Sequence, residues 1–112
     1  MTEESDAINR RAPLEVAKCR RTSDEVASES GPVIVLSESP IGSPERVKIR
    51  NRSKIRTVNV KLIAKEDGKT AFNDDLAPYA EIDESIIGGF SSVKLTTLTP
   101  GTAPVKVQKY YG

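Results

Sequence analysis

Few side chains in this sequence are equipped for chemistry. They are one thiol, Cys19, two acidic clusters, Asp74-Asp75 and Glu81-Ile82-Asp83-Glu84, and a run from Arg46 to Arg56 with six cations in eleven residues. Paired carboxylates suit hard-cation ligation or a glycosidase acid–base pair. Neither cluster has the ligand offsets and turn glycine of a calcium loop, so both read as exposed acidic loops. There is no histidine, which removes histidine triads, histidine general bases and His-containing zinc sites. One cysteine is too few for a multi-thiolate zinc site. Dinucleotide, P-loop and nucleophile-elbow motifs are absent as well. The sequence therefore reads as non-enzymatic, with no cofactor and no metal expected.

A single cysteine cannot close a disulfide within the chain. Cys19 sits beside Lys18, Arg20 and Arg21, and neighbouring cations favour the reactive thiolate. An incidental cytosolic thiol and an intermolecular bridge are both open readings.

In the basic run, Arg46, Lys48 and Arg50 alternate with Val47 and Ile49, so the three cations share one face of a strand. Single-strand nucleic-acid binders interleave aromatic platforms with their cations, but the next aromatic here is Phe72. No helix is foreseen that could enter a major groove. The run is expected to be the wet face of a β-hairpin or a contact for an acidic protein surface, with nucleic acid disfavoured. Asn51-Arg52-Ser53 matches a glycosylation sequon but reads as a turn. Charge is segregated: residues 45–65 hold eight basic residues against Glu45, and residues 66–84 hold seven acidic ones against Lys69. The two patches could pair within one molecule or between neighbours.

The 112 residues allow one domain, and 37% hydrophobic with 4% aromatic is thin for a globule of that length. A compact part plus a polar tail is expected. The net charge of +1 indicates neither nucleic acid nor a membrane surface as a general partner. Apolar runs reach only the length of Pro32–Leu36, so no transmembrane helix or signal peptide is expected, and the chain reads as soluble.

Residues 1–31 hold seven acidic and five basic residues, no aromatic, and scattered aliphatics such as Leu14 and Val16. Such a segment buries too little apolar surface to offset its ordering entropy, so it is expected to be an extended or disordered arm. From residue 32 onward strand signals dominate. "PVIVL" reads as a buried strand, and residues 46–50 alternate. Val58, Val60, Leu62 and Ala64 should face inward, with Asn59, Lys61 and Ile63 outward. Asp67-Gly68 signals a tight hairpin, after which a short strand should end at Phe72 and "NDDLAP" should be loop. Further strands are expected over 79–86, from Phe90 to about Leu98, and over Val105–Tyr110, the last two joined by a turn at Thr99–Thr102. About seven short antiparallel strands predict an all-β, immunoglobulin-like sandwich over residues 32–112, with a small barrel as the next choice.

The run "DLAPYAEIDESIIGGFSSVKLTTLTPGTAPVKVQKYYG" orders a Leu-x-Pro turn, two strands, a glycine turn and a Val-x-Val strand. In that order it resembles the small β-sandwich proteins of bacteriophage particles, such as capsid decoration (cement) and head- or tail-associated proteins. The likeness covers about residues 55–112. It implies an accessory structural role in a virion, binding coat or tail subunits and open to self-association. Residues expected to meet partner subunits are Arg10, Arg11, Leu14, Val16, Cys19, Arg20 and Arg21 in the arm. In the body they are Arg46, Lys48, Arg50, Arg52, Tyr110 and Tyr111. The alternatives are a cytoplasmic binding module for a peptide or carbohydrate and a nucleic-acid-associated protein using the basic run.

Overall fold

A computed structural model describes residues 19–112. Eight strands follow in order: β1 (Cys19–Ala27), β2 (Val33–Val35), β3 (Arg46–Asn51), β4 (Val58–Ala64), β5 (Thr70–Leu76), β6 (Glu81–Ser85), β7 (Phe90–Thr97) and β8 (Ala103–Tyr111). They form two four-stranded antiparallel sheets, ordered β1-β8-β3-β6 and β2-β7-β4-β5. The expected two-layer sandwich is what the chain forms. Its strand order, however, is that of a jelly roll, in which two Greek keys wrap around each other, and not that of an immunoglobulin domain. Among the described residues no helix is long and apolar enough to cross a membrane.

Side-chain alternation drives the layering. On β4, Val58, Val60, Leu62 and Ala64 point inward while Asn59, Lys61 and Ile63 point outward, as their spacing requires. Across the layer, Val47 and Ile49 of β3 and Val105 and Val107 of β8 complete the core with Leu36, Phe90, Val93 and Leu95. All of these are at most 1% exposed.

Several expectations need correction. Cys19–Ala27 is no arm: it is a nine-residue strand paired along its full length with β8, from Cys19↔Tyr111 to Ala27↔Ala103. The sandwich therefore begins at least at Cys19, thirteen residues before the expected boundary at Pro32. Arg10, Arg11, Leu14 and Val16 lie outside the described residues. The strand from Val33 to Val35 is not buried on both faces. Only Ile34 packs inward, and Val33 and Val35 are 59% and 70% exposed. The acidic loop after Phe72 is instead the second half of β5, with Leu76 buried beneath it. The hairpin at Asp67-Gly68 is longer than two residues, spanning 65–69, and Asp67 Oδ1 accepts the Lys69 N–H at 2.9 Å.

The basic run is not a hairpin either. β3 lies in one sheet and β4 in the other, so residues 52–57 form a crossover between layers. Asn51 anchors it from a fully buried position. Its Nδ2 lies 2.7 Å from the Arg56 carbonyl, 3.0 Å from that of Leu76 and 3.2 Å from that of Ala77. Its Oδ1 accepts the Ser53 N–H at 2.9 Å. Ser53 Oγ in turn accepts N–H groups of Ile55 at 3.2 Å and Arg56 at 2.9 Å. The sequon asparagine is thus a structural hub with no accessible amide.

Tyr111, expected at a partner surface, is a core residue at 1% exposure. Its hydroxyl donates to the Leu36 carbonyl at 2.7 Å, with Glu38 Oε2 at 3.2 Å. Burial, and then the nearby Glu38 carboxylate, push the Tyr111 pKa up to about 12. The sign follows directly. An unfolded chain releases this proton near the ordinary value of about 10, whereas the folded chain holds it. The contribution is complete below pH 10 and is lost as pH rises toward 12. Tyr111→Phe should lower stability by about 1–2 kcal/mol near neutrality by leaving the Leu36 carbonyl without its donor. It should also flatten the alkaline part of the stability–pH curve, measured by urea denaturation at stepped pH.

Candidate functional site

The outer face of the β1-β8-β3-β6 sheet gathers most of the cations that the sequence singles out. Register places Arg46 opposite Tyr110 of β8 and Ser85 of β6, Lys48 opposite Gln108 and Asp83, and Arg50 opposite Lys106 and Glu81. Arg46 organises one end. Its guanidinium forks onto Asp83 at 2.9 and 2.6 Å and stands 4.6 Å from the centre of the Tyr110 ring. The hydrogen bonds to Asp83 hold Arg46 protonated even more firmly than usual. Lys48 Nζ meets Glu81 Oε2 at 3.4 Å, and Arg52 meets Asp24 of β1 at 3.6 Å.

Part of the charge segregation is therefore resolved within the molecule. Such exposed pairs contribute about 0–1 kcal/mol each and serve mainly to order the face. Asp74 and Asp75 sit on β5, in the opposite sheet. Asp75 Oδ1 accepts from Asn59 Nδ2 at 2.9 Å. Among the described residues no group of three or more His, Cys, Asp or Glu side chains converges as a metal site would require.

The remaining expected contacts lie near the start of β1. Cys19 is a free, half-buried thiol opposite Tyr111. Arg20 is exposed on the outer face opposite Tyr110. Arg21 Nε lies 4.0 Å from Glu38 Oε1. Arg20 and Tyr110 thus join the β3 cations on one face, while Cys19 and Arg21 lie toward the inner side.

A second surface was missed from sequence. β1 and β2 are the outermost strands of their sheets on the same side of the sandwich, joined by the turn at 28–32. Val26, 56% exposed, lies on the outer face of one sheet there, and Val33 and Val35 on the outer face of the other. The available signal was Pro32, since proline next to a strand marks an edge position.

These features define the class: a small jelly-roll β-sandwich with a charged, partly paired outer face and open strand edges at β1, β2, β5 and β6. No protein-family model matches the chain, and no curated protein matches it. Solved structures do match its fold. A structure from work on Bacillus endospore appendages, described as disulfide-linked pili, has a TM-score of 0.54 at 11% identity, covering 84% of this chain and 87% of that one. The SPBc2 prophage-derived protein YomS has a TM-score of 0.50 at 14% identity, covering 85% and 97%. Peruvianin-I, a cysteine peptidase from Thevetia peruviana latex, has a TM-score of 0.53 at 9% identity, but the match spans 48% of its length. At these identities the likeness is one of fold alone, and the fold occurs in structural, prophage-derived and enzymatic proteins.

Proposed function

We propose that this chain is a non-enzymatic assembly protein, a component of a phage particle or a comparable surface structure, that joins neighbouring subunits by strand addition along β2. The observation that carries this reading is the edge itself. β2 pairs on one side only, with β7, and presents Val33 and Val35 largely to solvent. Natural sheets blunt such edges with charge, bulges, proline or shortness. β2, three residues long and preceded by Pro32, is short but carries neither charge nor bulge, so a partner strand would add a short ladder there. Strand addition satisfies the open backbone while burying the valines. The fold shared with a pilus structure and a prophage protein of nearly the same length supports the reading.

The expected arm over residues 1–31 is cut back, because Cys19–Ala27 within it is β1. Residues 1–18 remain as the segment that reaches neighbours, with Arg10, Arg11, Leu14 and Val16 as its contacts. On this reading Cys19, a free and half-buried thiol at the entry to β1, would bridge subunits, and the disulfide-linked pilus of similar fold supports that reading. A deletion testing that segment must stop at Lys18, since a longer one removes β1.

Light scattering across a concentration series tests the edge. The full chain should associate, and Val35→Lys should leave a monomer whose thermal midpoint is nearly unchanged, because an exposed side chain contributes within about 0.5 kcal/mol to stability. A wild-type chain that stays monomeric at every concentration, alone and with co-purified proteins, would refute the proposal.

A further inference from the structure

At the end of the outer face farthest from Arg46, Arg50, Arg52, Lys106 and Tyr79 line an open concavity of about 390 Å³. That volume falls in the range of small-ligand pockets, about 300–1,000 Å³. The geometry points to an oxyanion-binding site here, for a small ligand or side group that carries at least two negative charges as phosphoryl or carboxylate.

Three observations converge on it. First, Arg50 and Lys106 are directly opposite across β3 and β8, an arrangement of like charges that works against the sheet. The carboxylates that could relieve it are engaged elsewhere. Glu81, the other cross-strand neighbour of Arg50, turns to Lys48, and Asp24, opposite Lys106, reaches Arg52. Among the described residues neither Arg50 nor Lys106 has an ion pair. At the other end of the same face, by contrast, Arg46 is forked onto Asp83.

Second, Tyr79 occupies the left-handed region at φ 66, where a residue with a Cβ is strained. It follows Pro78 in a turn closed by the Ala80 N–H donating to the Ala77 carbonyl at 2.9 Å. Glycine is the ordinary occupant of that turn position. The fold instead holds a half-exposed phenol ring at the rim of the cations, and strain of this kind concentrates at binding sites. Third, guanidinium groups present planar forks that match phosphate and carboxylate oxygens in pairs. Arg50 and Lys106, neither answered by a carboxylate, are suited to a multiply charged oxyanion, with Arg52, itself held by Asp24, at the margin and the Tyr79 ring as an apolar wall.

Calorimetric titration of the full chain with inorganic pyrophosphate, and separately with citrate, tests the site. Saturable binding is expected to weaken about tenfold in Arg50→Gln and in Lys106→Gln, the loss of one charge-assisted contact. Tyr79→Gly relieves the backbone strain, so it should keep the fold and still weaken binding. Lys61→Gln, on the outer face of the other sheet and without part in the concavity, should change affinity by less than about twofold. Tighter pyrophosphate binding would assign a phosphoryl ligand, and tighter citrate binding a carboxylate one. Failure of both probes to saturate, or an equal loss in Lys61→Gln, overturns the proposal.

Discussion

Asn51→Ala should lower the stability of the sandwich by about 3 kcal/mol, the largest loss expected from any single polar side chain described above. The amide is fully buried, and its Nδ2 serves the carbonyls of Arg56, Leu76 and Ala77 at once. Alanine strands these acceptors and the Ser53 N–H, and the Leu76 carbonyl is too deep for solvent to replace the donor. Unmet buried groups cost about 1–3 kcal/mol each, discounted for the partly exposed ones. In a domain of this size the thermal midpoint should fall by about 15 °C, read by circular dichroism. Asn51→Asp sharpens the test. An ionised carboxylate facing three carbonyl oxygens repels them, so its folded pKa should lie above the unfolded value of about 3.9. That variant should be most impaired at neutral pH and recover in part as pH falls and the acid regains a proton to donate. An alanine variant within about 1 kcal/mol of the parent would show that the crossover does not depend on this hub.

The second large effect is expected at Gly89. This buried residue has φ 86, and a Cβ there would stand 2.7 Å from Ser43 Cβ, 3.0 Å from the Ser43 oxygen and 3.1 Å from the Pro44 oxygen. Two of those atoms are backbone, and the Pro44 carbonyl is already committed to the Phe90 N–H at 2.9 Å. Gly89→Ala therefore combines a left-handed backbone with overpacking, for a cost of about 2–4 kcal/mol. Gly88 supplies the control. Its φ is 93, yet its Cβ would meet nothing closer than Glu66 Cβ at 4.0 Å. Gly88→Ala should cost only about 1–2 kcal/mol, for the backbone alone. Chemical denaturation of both variants separates the steric part from the conformational part, and equal losses would show that the Ser43–Pro44 loop yields.

The strands whose inner faces are apolar could be read from sequence, because a period of two is visible wherever every second residue enters the core. β3, β4, β7 and β8 are of this kind apart from the buried Asn51, Thr97 and Lys109 near their ends. β1 and β5 were not legible for the opposite reason. Of the residues on the inner face of β1, only Ala27 is a buried apolar side chain, while Arg21, Ser23 and Glu25 occupy other inward positions. What places β1 is its backbone ladder to β8, and a ladder leaves no mark on composition. The same holds for Asn73, Asp74 and Asp75 in β5, which pairs with β4.

The site was half legible. Alternation put Arg46, Lys48 and Arg50 on one face, and the structure agrees. That Arg50 is set against Lys106, while Arg46 is answered by Asp83 and Tyr110, follows from pairings between residues far apart in sequence. Tyr110 and Tyr111 show the limit well. They are adjacent and chemically alike, yet one lies under a guanidinium and the other inside the core.

Strand order also has a consequence for how the molecule is made. β1 has β8 as its sheet partner, and β8 lies between β1 and β3. During synthesis the first strand emerges early and stays without its neighbour until residues 103–111 have been added, a wait of about 5–20 seconds at ordinary translation rates. Closure of the sheet by such distant segments is intrinsically slow. A nascent chain stalled between β6 and Ala103 would thus present β1 with no partner and β3 with one open side, available to whichever extended polypeptide reaches them first.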